Sequence, residues 1–308
     1  MSADIPSTMT AVRLHAPGRL EDLVAEEVPT PRPGAGEALV RVAAAAITRD
    51  ELTWPEDRLP ATPSYELAGE VVALGEGVDD VEVGQAVYAL TDFERDGVAA
   101  EYAVVAADVL APAPTRLTPV EAAAIPLPGL SAWQALFDHG RLRAGQRVVV
   151  HGAAGGVGAF AVQLARLHGA HVIATATGER VAAARRLGAH EVVDASRDDL
   201  AALAPVDLVV DTVGGERLAR SAELVAPGGR VVSVNEPPPQ EAFAARGVEG
   251  AYFVVTPDRS QLRELARLAD AGQLSVVVDR TYSLVAAREA FARVQERIGR
   301  GKVVLTVR

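Results

Sequence analysis

The sequence has no cysteine among its 308 residues, and its only lysine is Lys302. The absence of cysteine excludes disulfides, thiol nucleophiles and every zinc site that uses cysteine ligands. The scarcity of lysine excludes two further motifs by position. A Tyr-x-x-x-Lys pair would need a tyrosine where the chain has Ile298. A phosphate-binding G-x-x-x-x-G-K-[ST] loop would need a glycine and a hydroxyl residue where the chain has Glu296 and Val303.

Long apolar runs and basic clusters are missing as well. Apolar runs are short and are broken by charged residues, glycine or proline, so we expect no membrane-spanning segment. The formal net charge is −11, and the excess acid is scattered without a basic stripe, so we do not expect nucleic acid as a partner. Met1–Thr10 lacks the basic and apolar regions of a signal peptide, and the expected location is therefore cytoplasmic.

The apolar residues that are present suffice for two domains. Hydrophobic residues make up 49% of the 308 positions, which permits more than one core. Residues 11–118 contain short strand-type runs between glycine turns, which is typical of a compact barrel-like domain. From Arg147 onwards, strands alternate with helices, which predicts a doubly wound parallel sheet of the α/β class. The tail after Gly272 does not extend this series and is expected to return to the first domain. The predicted domains are 1–118 with 273–308, and 119–272.

A glycine-rich turn between a strand and a helix is the main functional signal. It lies in residues 147–170, RVVVHGAAGGVGAFAVQLARLHGA. An apolar run precedes the turn, and an apolar face with the helical period follows it from Val157. Strand, glycine turn and helix in this order place a pyrophosphate on the backbone N–H groups of a helix N-terminus. The glycines read as G-x-x-G-x-x-G from Gly152, so we expect a dinucleotide to bind here.

The end of the second strand of this series, His171–Thr175, favours NADPH over NADH. An NAD-specific site places an acidic residue at this strand end, where it binds the ribose 2′-hydroxyl. Here the strand ends with Thr175, and Thr177 and Gly178 follow it. These residues are small, two of them carry hydroxyls, and together they leave room for a 2′-phosphate.

A basic side chain is expected to complete the 2′-phosphate site. Arg180 can add a charge-assisted contact that is bidentate in the best geometry. Arg185 and Arg186 are the alternatives for this role. Glu179 counts against the assignment, because a carboxylate that points inward would repel the phosphate.

Six segments carry a family resemblance along nearly the whole chain. They are PRPGAGEALVRVAAAAI, SYELAGEVVALGEGV, IPLPGLSAWQALF, VVVHGAAGGVGAFAVQLA, DLVVDTVGG and GKVVL. Together they resemble the medium-chain dehydrogenase/reductase superfamily, in its zinc-free quinone oxidoreductase branch. The resemblance implies a GroES-like catalytic domain at 1–118 and 273–308, a Rossmann domain at 119–272, NADPH as the cofactor, and a homodimer.

The resemblance also implies which residues hold the cofactor. The glycine turn is expected to contact the pyrophosphate, the ends of the fourth and fifth strands to face the ribose and nicotinamide, and the sixth strand to pass near the carboxamide. With the strand-end residues above, the implied cofactor-binding residues are Ala154, Gly155, Gly156, Val157, Thr175, Thr177, Gly178, Arg180, Val213, Gly214, Ser233, Asn235, Phe253 and Val255.

Zinc-dependent relatives carry G-H-E-x-x-G where this chain has Ser64-Tyr65-Glu66-Leu67-Ala68-Gly69. Tyr65 therefore stands at the position of a ligand histidine, and Thr48 falls near that of a ligand cysteine, so we expect no metal. Thr48 can still donate a hydrogen bond to a substrate carbonyl and is the candidate catalytic residue. The alternative is a strand-end threonine that caps local backbone. Trp54, Tyr65 and Phe93 can line the substrate pocket, with core packing as the alternative for each.

These observations predict an NADPH-dependent oxidoreductase that transfers a hydride to a quinone or to an activated α,β-unsaturated carbonyl compound. The hydride chemistry belongs to the nicotinamide, and the protein orients it and polarises the acceptor. Two alternatives stay open. One is a biosynthetic enoyl reductase of the same fold, and the other is a non-catalytic NADPH-binding protein.

Metal independence is the prediction that follows most directly from the missing cysteines. We expect the protein, purified without added metal, to contain no stoichiometric zinc, because Tyr65 and Thr48 replace the expected ligands. Treatment with a chelator should leave the melting temperature and the activity unchanged. Elemental analysis checks the prediction, and one zinc ion per chain would contradict it.

Overall fold

The computed structural model describes residues 5–54, 58–197, 200–203, 205–296 and 299–307. Its strands are β1 (Thr8–Leu14), β2 (Leu23–Pro29), β3 (Glu37–Ile47), β4 (Glu66–Leu74), β5 (Ala86–Leu90), β6 (Tyr102–Ala106), β7 (Ala111–Pro112), β8 (Arg147–His151), β9 (His171–Ala176), β10 (Glu191–Asp194), β11 (Val206–Asp211), β12 (Val225–Ser233), β13 (Glu249–Tyr252), β14 (Val278–Ser283) and β15 (Lys302–Thr306). Its α-helices are α1 (Pro119–Ala123), α2 (Pro126–Trp133), α3 (Gly156–Leu167), α4 (Arg180–Arg186), α5 (Gly215–Arg220), α6 (Gln240–Ala244), α7 (Arg259–Asp270) and α8 (Ala287–Gln295). No helix within the described ranges has the length and apolar character needed to cross a membrane.

The chain divides into two compact units. The first unit comprises Met1–Leu127, Thr256–Gly272 and Val276–Arg308, and the second comprises Pro128–Val255 and Gln273–Ser275. The first is rich in β-strands, and the second contains a parallel sheet with helices. The predicted combination of a parallel α/β sheet with a β-rich domain is confirmed.

The sheet of the first unit is arranged around β3. Its strand order is β14-β15-β3-β4-β5-β7, with β6 also paired to β3, while β1 and β2 form a separate antiparallel pair. Most of β3 is buried, because the strand is apolar and has neighbours along both edges. β6 pairs with the first half of β3, and β15 pairs with its second half. Val303 pairs with Ile47 in the antiparallel ladder. This pairing places Lys302, the first residue of β15, beside the end of β3.

The second unit contains a six-stranded sheet in the order β10-β9-β8-β11-β12-β13. All of its strand pairs are parallel. The strands are short and rich in valine, and their centres are buried, as expected for a sheet that helices cover. Strand order reverses direction between β8 and β11, and such a switch point opens a crevice at the carboxyl ends of the strands.

Three segments lie in a different unit from the one that the sequence boundaries assigned. Residues 119–127 and 256–272 belong to the β-rich unit rather than to the parallel-sheet unit, and Gln273–Ser275 belongs to the parallel-sheet unit rather than to the β-rich unit. The buried hydroxyl of Tyr88 donates a hydrogen bond to the carbonyl oxygen of Leu262, at 2.5 Å, and holds α7 against the first unit. The periodicity of α7 indicates an apolar face, but it does not indicate which sheet that face covers.

The sixth strand of the parallel sheet ends earlier than predicted. The sequence pattern places it at Tyr252–Val255, whereas β13 is Glu249–Tyr252. The chain leaves the sheet after Tyr252, and the ring of Phe253 stacks on His139 with the centroids 4.3 Å apart. β13 lies at the edge of its sheet, and Tyr252 is 42% exposed. Pairing of this edge in a homodimer stays a prediction.

Candidate functional site

The carboxyl ends of the parallel strands form one polar row across the second unit. Five residues at these ends are paired in register across neighbouring strands: Thr175, His151, Asp211, Ser233 and Tyr252. Parallel strands end at the same edge of a sheet, so the loops that follow them are neighbours. These loops contain most of the residues that the sequence predicts to hold the cofactor. The fold therefore brings these residues together at one edge of the second unit.

The turn between β8 and α3 leaves backbone N–H groups open. α3 has Gly155 as its N-cap residue, no side chain in the described part of the chain caps it, and its first turn contains no acidic residue. The first N–H groups of a helix have no partner inside the helix. Gly152 has a φ of 72°, and a Cβ atom at Gly158 would collide with the carbonyl oxygen of Gly152, so both positions need glycine. The turn fits the pyrophosphate of a dinucleotide, because open N–H groups and the positive end of a helix favour an anion.

A buried pair of side chains ends β8 and β9. His151 Nδ1 lies 2.9 Å from Thr175 Oγ1, and both residues are buried. Burial lowers the pKa of His151 to about 3, with a smaller contribution from Arg217, so the ring is neutral. The hydroxyl of Thr175 is turned to His151, which leaves the exposed Thr177 and Gly178 as the residues at this strand end that are open to a 2′-phosphate.

The arginine candidates lie at opposite ends of α4. Arg180 is the first residue of the helix and is half-buried, whereas Arg185 and Arg186 lie in its last turn and are exposed. Arg180 and Arg186 are six positions apart, which corresponds to about 9 Å along the helix axis. Arg180 therefore directly follows the loop that contains Thr177 and Gly178, and the other two arginines lie a full turn further on.

Asp211 ends β11 and fixes the loop that follows. Its Oδ2 accepts a hydrogen bond from the N–H of Gly214, at 2.8 Å, and one from the hydroxyl of Ser233, at 3.5 Å. Burial raises the pKa of Asp211. Gly214 is buried in this loop, and Val213 is 51% exposed. The carboxyl of Asp211 thus shapes the loop, and the loop presents Val213 at the surface.

The ends of β12 and β13 place the remaining predicted cofactor residues. Ser233 is buried, and its Oγ accepts a hydrogen bond from the N–H of Asn235 at 3.3 Å. Asn235 itself is exposed. Phe253 is half-buried against His139, and Val255 is buried. Asn235 and Phe253 therefore present side chains at the surface, whereas Ser233 and Val255 support the backbone.

In the first unit, Thr48 follows β3 and contacts two buried charged side chains. The Nζ atom of Lys302 donates a hydrogen bond to Thr48 Oγ1 at 2.8 Å. It also forms a short ion pair with Glu66 Oε1. Glu66 is the first residue of β4, and its Oε2 accepts a hydrogen bond from the N–H of Leu127 at 2.9 Å. The side chains of Lys302 and Glu66 are only 8% and 1% exposed, whereas Thr48 is half-buried.

Glu51 adds a second buried carboxyl to this group. It lies in a short turn after Thr48, and Oε1 has no hydrogen-bond partner among the described residues. Burial raises the pKa of Glu51 well above its usual range, and the charge of Lys302 opposes this only in part. Glu66 has the ammonium group as its direct partner, so burial favours the neutral form of Glu51 more than that of Glu66. We call Thr48, Glu51, Glu66 and Lys302 the Lys302 cluster.

The three predicted pocket aromatics pack together. The ring centroids of Trp54, Tyr65 and Phe93 lie 5.1 to 5.6 Å apart. Arg58 donates a hydrogen bond to the hydroxyl of Tyr65, at 3.3 Å, and another to the carbonyl oxygen of Phe93. Tyr65 is buried, while Trp54 and Phe93 are half-buried. Tyr65 is thus a core residue, and the other two rings reach the surface.

Sequence reasoning did not identify Lys302, Glu51 or Glu66 as site residues. A signal was present, because the only lysine begins an apolar strand, KVVLT, where a charged group needs a buried partner. The partner could not be read from the sequence, because Lys302 and Glu66 are 236 positions apart.

The residues around Thr48 do not fit a zinc ion. Over the ranges that the structure describes, no group of three or more histidine, cysteine, aspartate or glutamate residues could hold a metal ion. Thr48 Oγ1 and Glu66 Oε1 both contact the ammonium group of Lys302, which would repel a cation. A phenol and a hydroxyl are also poor substitutes for the imidazole and thiolate ligands that zinc prefers.

Two family models match the chain. One, described as the alcohol dehydrogenase GroES-like domain, matches residues 34–115. The other, described as a zinc-binding dehydrogenase, matches residues 187–305. The first match falls on the β-rich unit, and the second starts in the parallel-sheet unit and continues into the C-terminal strands.

Individual relatives extend the similarity over the whole chain. A probable mitochondrial zinc-binding oxidoreductase of Arthroderma benhamiae is 33% identical over 98% of this chain and 98% of its own. A phenolphthiocerol/phthiocerol polyketide synthase protein of Mycobacterium tuberculosis is 31% identical over 98% of this chain, which spans 15% of that protein. The structure of the quinone oxidoreductase from Coxiella burnetii superimposes with a TM-score of 0.92, at 28% identity, over 98% of this chain and all of that one. The chain belongs to the medium-chain dehydrogenase/reductase superfamily, in its quinone oxidoreductase-like branch.

Proposed function

We propose that this protein is an NADPH-dependent oxidoreductase that reduces a quinone or an activated α,β-unsaturated carbonyl compound without a metal ion. The supporting observation is the uncapped first turn of α3, which lies at the carboxyl edge of a parallel sheet. Membership of an oxidoreductase family whose fold binds a nicotinamide cofactor supports the reaction class. The quinone oxidoreductase among the similar structures supports the choice of acceptor.

Different loops at this edge would hold different parts of the cofactor. The N–H groups that follow Gly155 would bind the pyrophosphate, and Thr177 with Arg180 would bind the 2′-phosphate. Asn235 and Phe253 would flank the nicotinamide end, since both side chains reach the surface there. When bound, the reduced nicotinamide supplies a hydride.

The protein's own contribution at the acceptor is a hydrogen-bond donor on Thr48. Reduction of a quinone or an enone places negative charge on the acceptor oxygen. A fixed donor aimed at that oxygen stabilises the transition state more than the ground state, because the charge develops during the reaction. Trp54 and Phe93 are half-buried aromatic residues of the same unit and would provide apolar surface for a flat acceptor.

A biosynthetic enoyl reductase is the second candidate. The similarity to a segment of a polyketide synthase favours it, because that segment corresponds to nearly the full length of this chain. The two candidates share the cofactor and the donor and differ in the acceptor. An enoyl thioester offered beside quinones and simple enones distinguishes them.

The acceptor test compares the wild type with Thr48→Val. The wild type should oxidise NADPH in the presence of a quinone or an enone. Losing one oxyanion donor costs about 10²-fold in turnover, so Thr48→Val should lower kcat by about that factor and leave the Kd for NADPH unchanged. Steady-state kinetics over the acceptor panel, with NADPH binding measured by fluorescence, give both quantities.

Thr53→Val is the matched control, because it is the same substitution on an exposed threonine of the next turn. It should leave kcat nearly unchanged, because Thr53 lies outside the Lys302 cluster. Unchanged kinetics in Thr48→Val would remove Thr48 from the mechanism. A wild type that binds NADPH but oxidises it with no acceptor of the panel would be a non-catalytic binding protein.

The cofactor preference is tested at Arg180. A hydrogen bond to a charged group is worth about 1.5–3 kcal/mol, which corresponds to about 10- to 100-fold in binding. Arg180→Ala should lower kcat/KM for NADPH by that factor and leave kcat/KM for NADH nearly unchanged. Arg186→Ala is the control, since Arg186 lies at the other end of α4. A wild type that uses NADH as well as NADPH would overturn the assignment.

A further inference from the structure

The Lys302 cluster contains the only lysine of the chain, in a place where a charge is costly. All other basic residues except the histidines are arginine. Lys302 is nonetheless 8% exposed, and it is paired with a glutamate that is 1% exposed. Removing two charges from water costs several kcal/mol for each ion, and a buried ion pair often adds no net stability. Stability alone therefore gives little reason for this pair.

The hydrogen bonds of the cluster leave one proton free to move outward. Glu66 Oε2 is bound to the N–H of Leu127, and Oε1 is bound to Lys302. Thr48 Oγ1 accepts from Lys302 at 2.8 Å, while its own contact with Glu66 Oε1 is 3.4 Å long. A donor and acceptor at 3.4 Å interact weakly. The hydroxyl proton of Thr48 can therefore turn to another acceptor while its oxygen stays bound to Lys302.

Thr48 also connects the buried part of the cluster to the surface. Glu51, Glu66 and Lys302 are buried, whereas Thr48 is half-buried. A ligand that reaches this group from outside meets the hydroxyl of Thr48 before the ammonium of Lys302.

The proposed reaction, on which this inference rests, needs one proton for each hydride. The hydride brings two electrons and forms one bond to the acceptor. The electron pair of the acceptor's π system moves to the carbonyl oxygen, which becomes an oxyanion. One proton on that oxygen completes the hydroquinone or enol, and the cofactor does not supply it.

We propose that Lys302 is a positioning residue that supplies this proton through the hydroxyl of Thr48. The O–H bond of Thr48 breaks as its proton forms a bond to the acceptor oxygen. The N–H bond of Lys302 breaks as its proton moves to Thr48 Oγ1, so the hydroxyl is restored in the same step. Lys302 is left as a neutral amine beside Glu66. It regains its proton from solvent water, which restores the ammonium group.

The surroundings of Lys302 support this role. Burial raises the pKa of Glu51, and Lys302 and Glu66 are the charged groups that act on it. A lysine can release a proton within a protein, whereas an arginine remains charged under all ordinary conditions. The single lysine in this arginine-rich chain therefore stands where a proton has to be released.

The test uses two acceptors of similar shape that differ in their need for the proton. They are a dichlorobenzoquinone and a dimethylbenzoquinone that carry their substituents at the same ring positions. Chlorine and methyl are close in size, so the two molecules have similar shapes. The chlorinated hydroquinone is the stronger acid, so its oxyanion depends less on protonation. Single-turnover rates of NADPH oxidation are measured for the wild type, Lys302→Arg and Lys302→Met, with the non-enzymatic rate subtracted.

Lys302→Arg keeps the positive charge but cannot release a proton. General acid catalysis contributes about 10²–10⁴-fold, so this variant should react at least about 100-fold more slowly with the dimethyl acceptor. The loss with the dichloro acceptor should be less than about tenfold, because its oxyanion needs less acid assistance. Lys302→Met should show the same pattern. The Kd for NADPH should not change in either variant.

If the Lys302 variants are slowed equally with both acceptors, the relay is overturned and Lys302 has a structural role. A wild-type rate in Lys302→Arg would lead to the same conclusion. If the variants do not fold, the wild type alone decides: its solvent deuterium isotope effect should be larger with the dimethyl acceptor, and equal effects would overturn the relay. A wild type that reduces neither quinones nor enones would refute the proposed function and the relay with it. If the wild type reduces both quinones and the variants are slowed equally with both, the relay is refuted but the proposed function is not.

Discussion

The second unit depends on a constraint of parallel sheets: every strand must end at the same edge. Register fixes Thr175, His151 and Asp211 side by side at that edge. These three side chains are buried, and the hydroxyl of Thr175 contacts Nδ1 of His151. The open N–H groups of the first turn of α3 lie in the loop that follows β8. The same constraint that stabilises the sheet therefore places these N–H groups, at which we propose that the pyrophosphate binds, at this edge.

The first unit depends on an antiparallel pairing between distant parts of the chain. β15 lies along the second half of β3 and brings Lys302 to Thr48 and Glu66. A lone ammonium at this depth would be strongly destabilising, so the carboxylate of Glu66 is needed for the strand to dock. Truncation of the last strand would leave Glu66 as a buried, unpaired charge. The docking of β15 in this unit thus depends on one ion pair.

Local features were predictable from the sequence, and contacts between distant residues were not. The strand, turn and helix around Gly152–Gly158 follow from spacing alone, and the alternation after Arg147 gives the parallel sheet. The end of β13 was placed too late, because the apolar residues Phe253 and Val255 resemble a strand but pack outside it. The contact between Thr175 and His151 could not be predicted, because alternation along β9 does not reveal the partner of the Thr175 hydroxyl. The pairing of Lys302 with Glu66 spans 236 positions, which no local pattern can encode.

The central claim is that the first turn of α3 binds the pyrophosphate of NADPH, and Gly155→Asp tests it most directly by calorimetric titration. Aspartate is a better N-cap residue than glycine, so it should stabilise α3 by about a few tenths of a kcal/mol while it occupies the open N–H groups and repels a phosphate. Gly155→Asn is the control that caps the helix without a charge. The wild type should bind one NADPH per chain, Gly155→Asn should bind more weakly, and Gly155→Asp should bind none although its melting temperature is not lowered. Wild-type protein that does not bind NADPH, or Gly155→Asp that binds it as tightly as the wild type, would contradict the account.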